Sequence, residues 1–269
     1  MLFVLDIGNT NITAGVFDGE ALIQSWRIAS DVKKSEDEYG IVIKNLVKDS
    51  DLLGKLNYAV ISSVVMPLTE KIQLSIKKYL NIDSLVVSHK INTGLKITLD
   101  NPKELGPDRI VNGLAASRLY GAPVIVVDFG TATSFDIVNE KYEFIGGIIA
   151  AGMMIQANAL ASFTSKLPKV KIEAPEKTIG SNTIDAMLSG IVRGHAAMID
   201  GLIADCEKEL GQRAIVVATG GYSSIISKYL HRQFDYVNQD LTLLGLKMIY
   251  DLNSNSSEAL KHDCSTLAQ

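Results

Sequence analysis

The sequence is poor in aromatic residues and cysteine. Aromatic residues make up 6% of the 269 residues, whereas 47% are hydrophobic, so Ile, Val, Leu and Ala must supply most of the core. Residues of this kind suit buried parallel strands covered by helices. The two cysteines, Cys206 and Cys264, form no CxxC pair, which predicts neither a disulfide framework nor a zinc site and fits a reducing cytosol. The four histidines show no ligand spacing, and His195 is predicted to be a packing residue of a long helix.

Charge and hydropathy argue against a nucleic-acid-binding protein, a signal peptide and a membrane span. The net charge is −4 and the isoelectric point is about 5.6, so the basic face typical of a nucleic-acid-binding protein is missing. The N-terminus has no basic region and Asp6 interrupts the first apolar run, so no signal peptide is predicted. The longest uncharged stretch, residues 144–165, contains glycine, Gln156 and Asn158, and we interpret it as a strand, a turn and a helix rather than a membrane span. We therefore expect a cytoplasmic protein that binds neither nucleic acid nor membrane.

One pattern occurs twice: an apolar strand that ends in Asp-x-Gly. The first copy is Val4–Gly8 and the second is Val126–Gly130. Each copy continues through small residues that are mostly hydroxyl or amide residues, Asn9–Asn11 and Thr131–Thr133, into a second predicted strand. A single Asp-x-Gly is most often only a turn, but a matched pair indicates duplicated architecture. Two such hairpins could hold a cation and present backbone N–H groups to the phosphates of a nucleoside triphosphate.

The other predicted elements repeat in the same order. The first half is predicted to contain strands Met1–Ile7, Ile12–Phe17 and Ala21–Ile28, a helix from the Ser35–Glu38 capping box to Lys48, strand Tyr58–Ser62, helix Pro67–Leu80, strand Ser84–Ser88 and helix Pro107–Tyr120. The second half is predicted to contain strands Val124–Asp128, Ser134–Val138 and Phe144–Ala150, a helix from Met153, a long helix Ile184–Leu210, strand Ala214–Ala218 and helix Asp240–Leu252. We therefore predict two similar α/β domains, residues 1–118 and 119–252, and a disordered polar tail, residues 253–269.

This plan resembles the actin, hexokinase and Hsp70 ATPase superfamily, whose two ribonuclease H-like domains bind ATP in the cleft between them. The P-loop and Rossmann alternatives are weak, because neither a Walker A lysine motif nor GxGxxG occurs. Within the superfamily, residues 1–252 resemble the type III pantothenate kinases. The segments that carry this resemblance are Asp6-Ile7-Gly8-Asn9-Thr10-Asn11, Asn101-Pro102, Leu105-Gly106-Pro107-Asp108-Arg109, Asp128-Phe129-Gly130-Thr131-Ala132 and Gly146-Gly147.

The resemblance implies ATP-dependent phosphorylation of pantothenate, the first step of coenzyme A biosynthesis, and it implies roles for particular residues. The residues expected to bind ATP are Asp6, Ile7, Gly8, Asn9, Thr10, Asn11, Ile12, Thr13 and Thr131. Those expected to bind pantothenate are Gly106, Pro107, Asp108, Arg109 and Thr183. Asp108 is the expected general base, and Arg109 is the expected partner of the pantothenate carboxylate. The simpler alternatives are that Asp108 is an acidic residue of a first helical turn and that Thr183 is an N-cap.

The resemblance also implies ions and a partner subunit. Asp6 is expected to act on the Mg²⁺ of ATP through water, and Asp128 is expected to bind K⁺ or NH₄⁺. A homodimer is implied, with the long helix after Thr183 as a contact. Two alternatives stay open: another small-molecule kinase or phosphatase of the same fold, and a regulatory protein that binds ATP without turnover.

Overall fold

The computed structural model of the protein describes the backbone of residues 1–266 and the side chains of residues 1–254. The strands are β1 Leu2–Ile7, β2 Asn11–Asp18, β3 Ala21–Ala29, β4 Tyr58–Ser63, β5 Ser84–Val86, β6 Lys96–Ile97, β7 Val124–Phe129, β8 Ala132–Val138, β9 Glu143–Ala151, β10 Ile215–Gly220 and β11 Tyr236–Val237. The helices are α1 Glu36–Asp49, α2 Met66–Leu80, α3 Pro107–Tyr120, α4 Met153–Phe163, α5 Thr183–Leu188, α6 Gly194–Leu210, α7 Ser223–Ile226 and α8 Leu241–Thr266. One 3₁₀ turn covers Pro102–Glu104, and one π-helical turn covers Ser189–Arg193.

The two sheets share one strand order, which confirms the predicted duplicated α/β fold. The first sheet is ordered β3-β2-β1-β4-β5, and the second is ordered β9-β8-β7-β10-β11 with β6 added beside β9. In each sheet three strands form an antiparallel meander, and the first of them also pairs in parallel with a later strand, β4 or β10. Central strands of this kind are covered on both faces and must be continuously apolar. The runs Leu2–Leu5 and Val124–Val127, which are fully or almost fully buried, meet that requirement.

Contacts divide the chain into two units. The first comprises Met1–Lys96, Asp100–Ala115 and Asp240–Gln269, and the second comprises Ile97–Leu99 and Ala116–Gln239. Helix α8 therefore belongs with the first unit, which differs from the predicted division between residues 118 and 119. The physical reason is close packing at two glycines. An added Cβ at Gly15 would come within 3.0 Å of Leu243, and one at Gly245 would collide with the backbone of Val111.

Local signals in the sequence predicted most helix starts correctly. The Ser35 hydroxyl accepts a hydrogen bond from the Glu38 N–H at 3.2 Å, and the Glu38 carboxylate accepts one from the Ser35 N–H at 2.8 Å, so the predicted capping box is confirmed. Helix α3 begins at Pro107 as expected. Strands β6 and β11 were missed, because two residues are too few to show an alternating pattern.

Two helices differ from their predicted extents. The predicted continuous helix Ile184–Leu210 is divided by the π-helical turn at Ser189–Arg193. Helix α8 runs to Thr266 instead of ending at Leu252, where the sequence predicted a disordered tail. No glycine or proline follows Gly245 to end this helix. The remainder of the predicted tail, residues 267–269, lies outside the described residues.

Candidate active site

The first Asp-x-Gly motif lies at the turn from β1 to β2. Asp6 is partly exposed near the end of β1, and the strand register pairs it with Thr13 of β2 and with Ser62 of β4. Because paired residues of neighbouring strands point to the same face, the Asp6 carboxylate lies in a row between two hydroxyl groups. The Ser62 hydroxyl is buried, and its oxygen makes no hydrogen bond within the described residues. This set of oxygen atoms suits hydrated Mg²⁺.

Ser30, which follows β3, fixes the backbone of the first loop through hydrogen bonds. The Ser30 hydroxyl donates to the Gly8 carbonyl at 2.6 Å, and the Ser30 N–H donates to the Thr10 carbonyl at 3.0 Å. The Gly8 N–H closes the turn by donating to the Asn11 carbonyl at 3.0 Å. The side chains of Asn9, Thr10 and Asn11 are exposed. The loop is thus fixed through its backbone while its polar side chains stay accessible.

The second Asp-x-Gly motif repeats this arrangement at the end of β7. Asp128 is partly exposed, and the register pairs it with Ser134 of β8 and Thr219 of β10. Its carboxylate therefore also lies between two hydroxyl groups, which are ligands suited to a hard cation. Thr131 is exposed in the loop that follows. Sequence reasoning missed Ser62, although it aligns with Thr219 once the two copies are compared.

The second loop rests on the start of α4 at Gly152. An added Cβ at Gly152 would lie 3.1 Å from the Gly130 carbonyl oxygen and would collide with the Thr131 carbonyl. Only glycine allows this close approach without displacing the loop. The junction between β9 and α4 therefore sets the position of the Gly130–Thr131 backbone.

Asp108 lies in the first turn of α3. Its Oδ1 accepts a hydrogen bond from the Arg109 N–H at 2.9 Å. An added Cβ at Gly106 would lie 2.5 Å from the same Oδ1, so a side chain at this position would displace the carboxylate from its present conformation. Burial raises the pKa of the Asp108 carboxyl above its ordinary value, since it disfavours the charged form, and this outweighs the opposing effects of the Arg109 N–H and guanidinium. A partly exposed carboxylate with a raised pKa is suited to accept a proton.

Val64 connects the Asp108 turn to the first Asp-x-Gly motif. The Val64 N–H donates to the Ile7 carbonyl at 3.1 Å. Its Cγ1 lies 3.6 Å from the position that a Cβ of Gly106 would occupy. The structure thus brings the Asp108 turn to the edge of the first sheet where β1 and β4 end. Ligands of α/β proteins bind at this type of edge, beyond the carboxyl ends of the strands.

The sequence-predicted site residues fall in both units. Asp6–Thr13 and Gly106–Arg109 belong to the first unit, whereas Asp128, Thr131 and Thr183 belong to the second. Within the described residues, no three His, Cys, Asp or Glu side chains are grouped so as to hold a metal ion. No helix in the described part of the chain has both the length and the apolar composition needed to cross a membrane.

Thr183 does not cap α5. The N-cap is Asn182, whose side-chain oxygen accepts a hydrogen bond from the Asp185 N–H at 2.9 Å. The alternative that Thr183 is the N-cap is therefore wrong. Asparagine competes well for this position, since its side chain reaches the backbone N–H groups of the first turn. Thr183 is the first helical residue, and its side chain is exposed.

The fold of this chain is shared with a kinase of known structure. A ROK family glucokinase from Streptomyces griseus, solved with glucose and AMPPNP, superposes with a TM-score of 0.52 and 14% sequence identity. The alignment covers 91% of this chain and 97% of the glucokinase. At this level of identity the likeness shows the shared fold alone. The class is therefore that of α/β proteins built from two sheets with the same strand order.

Sequence similarity is more specific. A family model described as type III pantothenate kinase matches residues 2–205. A type III pantothenate kinase of Dehalococcoides mccartyi strain CBDB1 is 46% identical over 253 residues, which is 94% of this chain and 96% of the relative. One from Bacillus cytotoxicus is 43% identical over 255 residues, which is 94% of this chain and 97% of the relative. This chain belongs to the type III pantothenate kinase family, whose members are phosphotransferases.

The raised pKa of Asp108 predicts how the stability of the folded protein changes with pH. Between pH 3.8, the ordinary value for Asp, and the higher pKa of the folded protein, the folded state binds more protons than the unfolded state, so stability falls as pH rises through this window. The neutral substitution Asp108→Asn should therefore raise the melting temperature at pH 7, with a smaller gain at pH 3.5. Thermal unfolding at both pH values measures this difference.

The matched control is Asp37→Asn. Hydrogen bonds from Lys78 and Tyr79 lower the pKa of Asp37, so this substitution should lower the melting temperature at pH 7. An unchanged or lowered melting temperature for Asp108→Asn at pH 7 would contradict the raised pKa.

Proposed function

We propose that the protein transfers the γ-phosphoryl group of ATP to pantothenate, giving 4′-phosphopantothenate and ADP as the first step of coenzyme A biosynthesis. The observation that carries this proposal is the position of Asp108. Its carboxylate has a raised pKa and lies on the same edge of the first unit as the Asp6 motif. Family membership supports the same reaction.

Asp108 acts as the general base. Phosphoryl transfer to a primary alcohol needs a group that orients the hydroxyl and receives its proton as the oxygen attacks the γ-phosphorus. A raised pKa makes Asp108 a stronger proton acceptor than an ordinary aspartate, and its partial exposure leaves the carboxylate accessible. Gly106 leaves room for the Asp108 carboxylate in this conformation.

The protein binds pantothenate through the carboxylate group of the substrate. The Arg109 guanidinium is suited to a bidentate pair with that group. Gly106 and Pro107 provide the backbone beside it, and Thr183 contributes from an exposed position at the start of α5. A negatively charged partner for Arg109 would make pantothenate a better substrate than uncharged alcohols.

ATP is bound by the two Asp-x-Gly loops. In the first motif, which comprises the ATP-binding residues 6–13, Gly8 to Thr13 supply N–H and hydroxyl donors to the phosphates, and Thr131 contributes in the second. Asp6, with the Ser62 hydroxyl beside it, is proposed to hold the Mg²⁺ of ATP through water. Asp128, between Ser134 and Thr219, is proposed to bind K⁺ or NH₄⁺. A monovalent ion supplies positive charge that offsets the triphosphate.

The enzyme acts as a homodimer. Large apolar side chains are exposed on the second unit, including Phe163 at 90% and Ile179 at 86%. Ile149 of β9 and Ile155 of α4 are also exposed. Exposed apolar side chains of this size in the unit that contains Thr183 favour burial against a second copy of the chain.

The first test is ADP production with ATP, Mg²⁺ and pantothenate, compared with the same mixture lacking pantothenate. Asp108→Asn should lower kcat by about 10²–10⁴-fold, the usual contribution of a positioned base, while the Kd for ATP stays nearly unchanged. The control Glu104→Gln, an exposed carboxyl in the preceding 3₁₀ turn, should retain full activity.

The outcomes separate the proposal from its alternatives. Unchanged turnover of Asp108→Asn would remove Asp108 from the role of base. ATP binding without pantothenate-dependent turnover of the unaltered protein would favour the regulatory alternative. Faster turnover of another alcohol would favour a different small-molecule kinase.

Replacing K⁺ by Na⁺ should lower the rate of the unaltered protein. In Asp128→Ala the rate should be low in both salts, because the carboxylate that binds the ion is gone. Asp205→Ala, which removes an exposed carboxylate of the same unit, is the control and should keep the response to K⁺. Continued stimulation of Asp128→Ala by K⁺ would place the ion elsewhere.

Sedimentation should give about twice the chain mass of 29.1 kDa. Phe163→Asp should shift the protein to the monomer, since a charge in a buried apolar contact is strongly unfavourable. Met66→Asp is the matched control, as Met66 is 76% exposed but belongs to the first unit. A dimer that survives Phe163→Asp, or a monomeric unaltered protein, would contradict this assignment.

A further inference from the structure

The two Asp-x-Gly loops are braced by different residues. The register pairs Asn11 with Ala29 in the first copy and Ala132 with Ala151 in the second, so Ser30 and Gly152 occupy equivalent positions. In the first copy Ser30 hydrogen bonds to the loop through its hydroxyl and its N–H. Gly152 has no side chain and cannot offer the same hydroxyl. The second loop therefore has no counterpart of the Ser30 hydroxyl at this position.

A buried polar chain lies behind the second loop. His195 of α6 is 2% exposed, and its Nε2 lies 2.9 Å from the Thr133 hydroxyl at the start of β8. Its Nδ1 lies 3.0 Å from Nε2 of Gln156 in α4. The same Gln156 nitrogen lies 2.9 Å from the carbonyl of Ala151, the residue before Gly152. These polar side chains thus contact the second loop at Thr133 and contact the junction that supports it at Ala151.

The hydrogen bonds determine the tautomer of His195. Gln156 Nε2 faces a carbonyl oxygen, so it is the amide NH₂ and donates to both of its partners. His195 Nδ1 is therefore an acceptor, and His195 Nε2–H donates to the Thr133 hydroxyl. The ring is neutral in this arrangement. Burial lowers the pKa of His195, which also favours the neutral ring.

Packing alone does not require this polar pair. The register pairs Ile7 with Ile12 in the first copy and Phe129 with Thr133 in the second, so Ile12 is the counterpart of Thr133. Ile12 is fully buried in the apolar core of the first unit. An apolar residue therefore satisfies the fold at this position. The presence of Thr133 and His195 at this buried position therefore calls for a reason other than packing, because buried polar groups lower stability unless they are paired.

We propose that His195 is a positioning residue for the nucleotide: through Thr133 and Gln156 it fixes residues 130–133 so that this loop meets the phosphates of ATP. This inference rests on the proposed function of the second Asp-x-Gly loop. It concerns ATP, not pantothenate, since His195, Gln156 and Thr133 are linked to the second Asp-x-Gly loop.

The test compares His195→Leu, Thr133→Val and the double variant with the unaltered protein. Binding of ATP with Mg²⁺ is measured directly by calorimetry, and KM is measured for both substrates. Each single variant should raise the Kd and KM for ATP by about tenfold, with the KM for pantothenate unchanged. The double variant should weaken ATP binding no further than the single variants, because both remove the same hydrogen bond. His195→Gln, which keeps a donor and an acceptor, should restore most of the affinity.

Ile203→Ala controls for a general loss of stability, since Ile203 is a buried residue of the same helix and the same core. It should lower the melting temperature and leave the Kd for ATP unchanged. Should His195→Leu fail to fold, Thr133→Val decides the question alone. Variants that lose stability but keep the Kd for ATP would overturn the proposal, as would an equal rise in both KM values. The Kd comparison holds even if the unaltered protein binds ATP without phosphorylating pantothenate, so the two proposals fail separately.

Discussion

Parallel pairing at the centre of each sheet is the constraint from which the rest of this structure follows. Strands β1 and β7 each lie between two other strands and are covered on both faces, so neither can carry an unpaired charge along its length. A carboxylate can stay accessible to solvent, and so avoid the free-energy cost of burial, only where the strand ends at the edge of the sheet. Asp6 and Asp128 stand at these points, and the neighbouring strands place a hydroxyl residue on each side of them. The same rule that makes the core apolar therefore places the polar groups at one edge.

Asp108, the proposed general base, lowers the stability of the folded protein at neutral pH. Burial raises the pKa of its carboxyl, so the charged form is disfavoured in the folded protein. Gly106 leaves room for the carboxylate, and the Arg109 N–H donates a hydrogen bond to its Oδ1 at 2.9 Å. A residue whose neutral substitute would favour folding is expected at a functional site. The two Asp-x-Gly loops share a backbone plan but have different supporting residues. Ser30 hydrogen bonds to the first loop, whereas His195 hydrogen bonds to Thr133 beside the second.

Much of the fold was predictable from local patterns. The capping box at Ser35, the proline start of α3 and both meanders follow from residues close in sequence, and the structure has them. Competing local signals explain one error, the N-cap of α5, where Asn182 takes the position assigned to Thr183. Other differences are tertiary. The attachment of α8 to the first unit depends on Gly15, which leaves room for Leu243, and on Gly245, which lets α8 approach the Val111 backbone. The π-helical turn before α6 was not predicted from the sequence.

The sequence by itself determined the duplicated α/β plan, the two Asp-x-Gly motifs and the family, because each of these is written in residues that are neighbours along the chain. Only the tertiary structure decided which groups are buried and which distant residues meet. The contact of Thr133 with His195 spans 62 positions, and the approach of Val64 to the Asp108 turn joins separate elements. Neither leaves a periodic signal in the sequence, since hydrogen bonding and desolvation depend on the distance in space between groups and not on their separation along the chain.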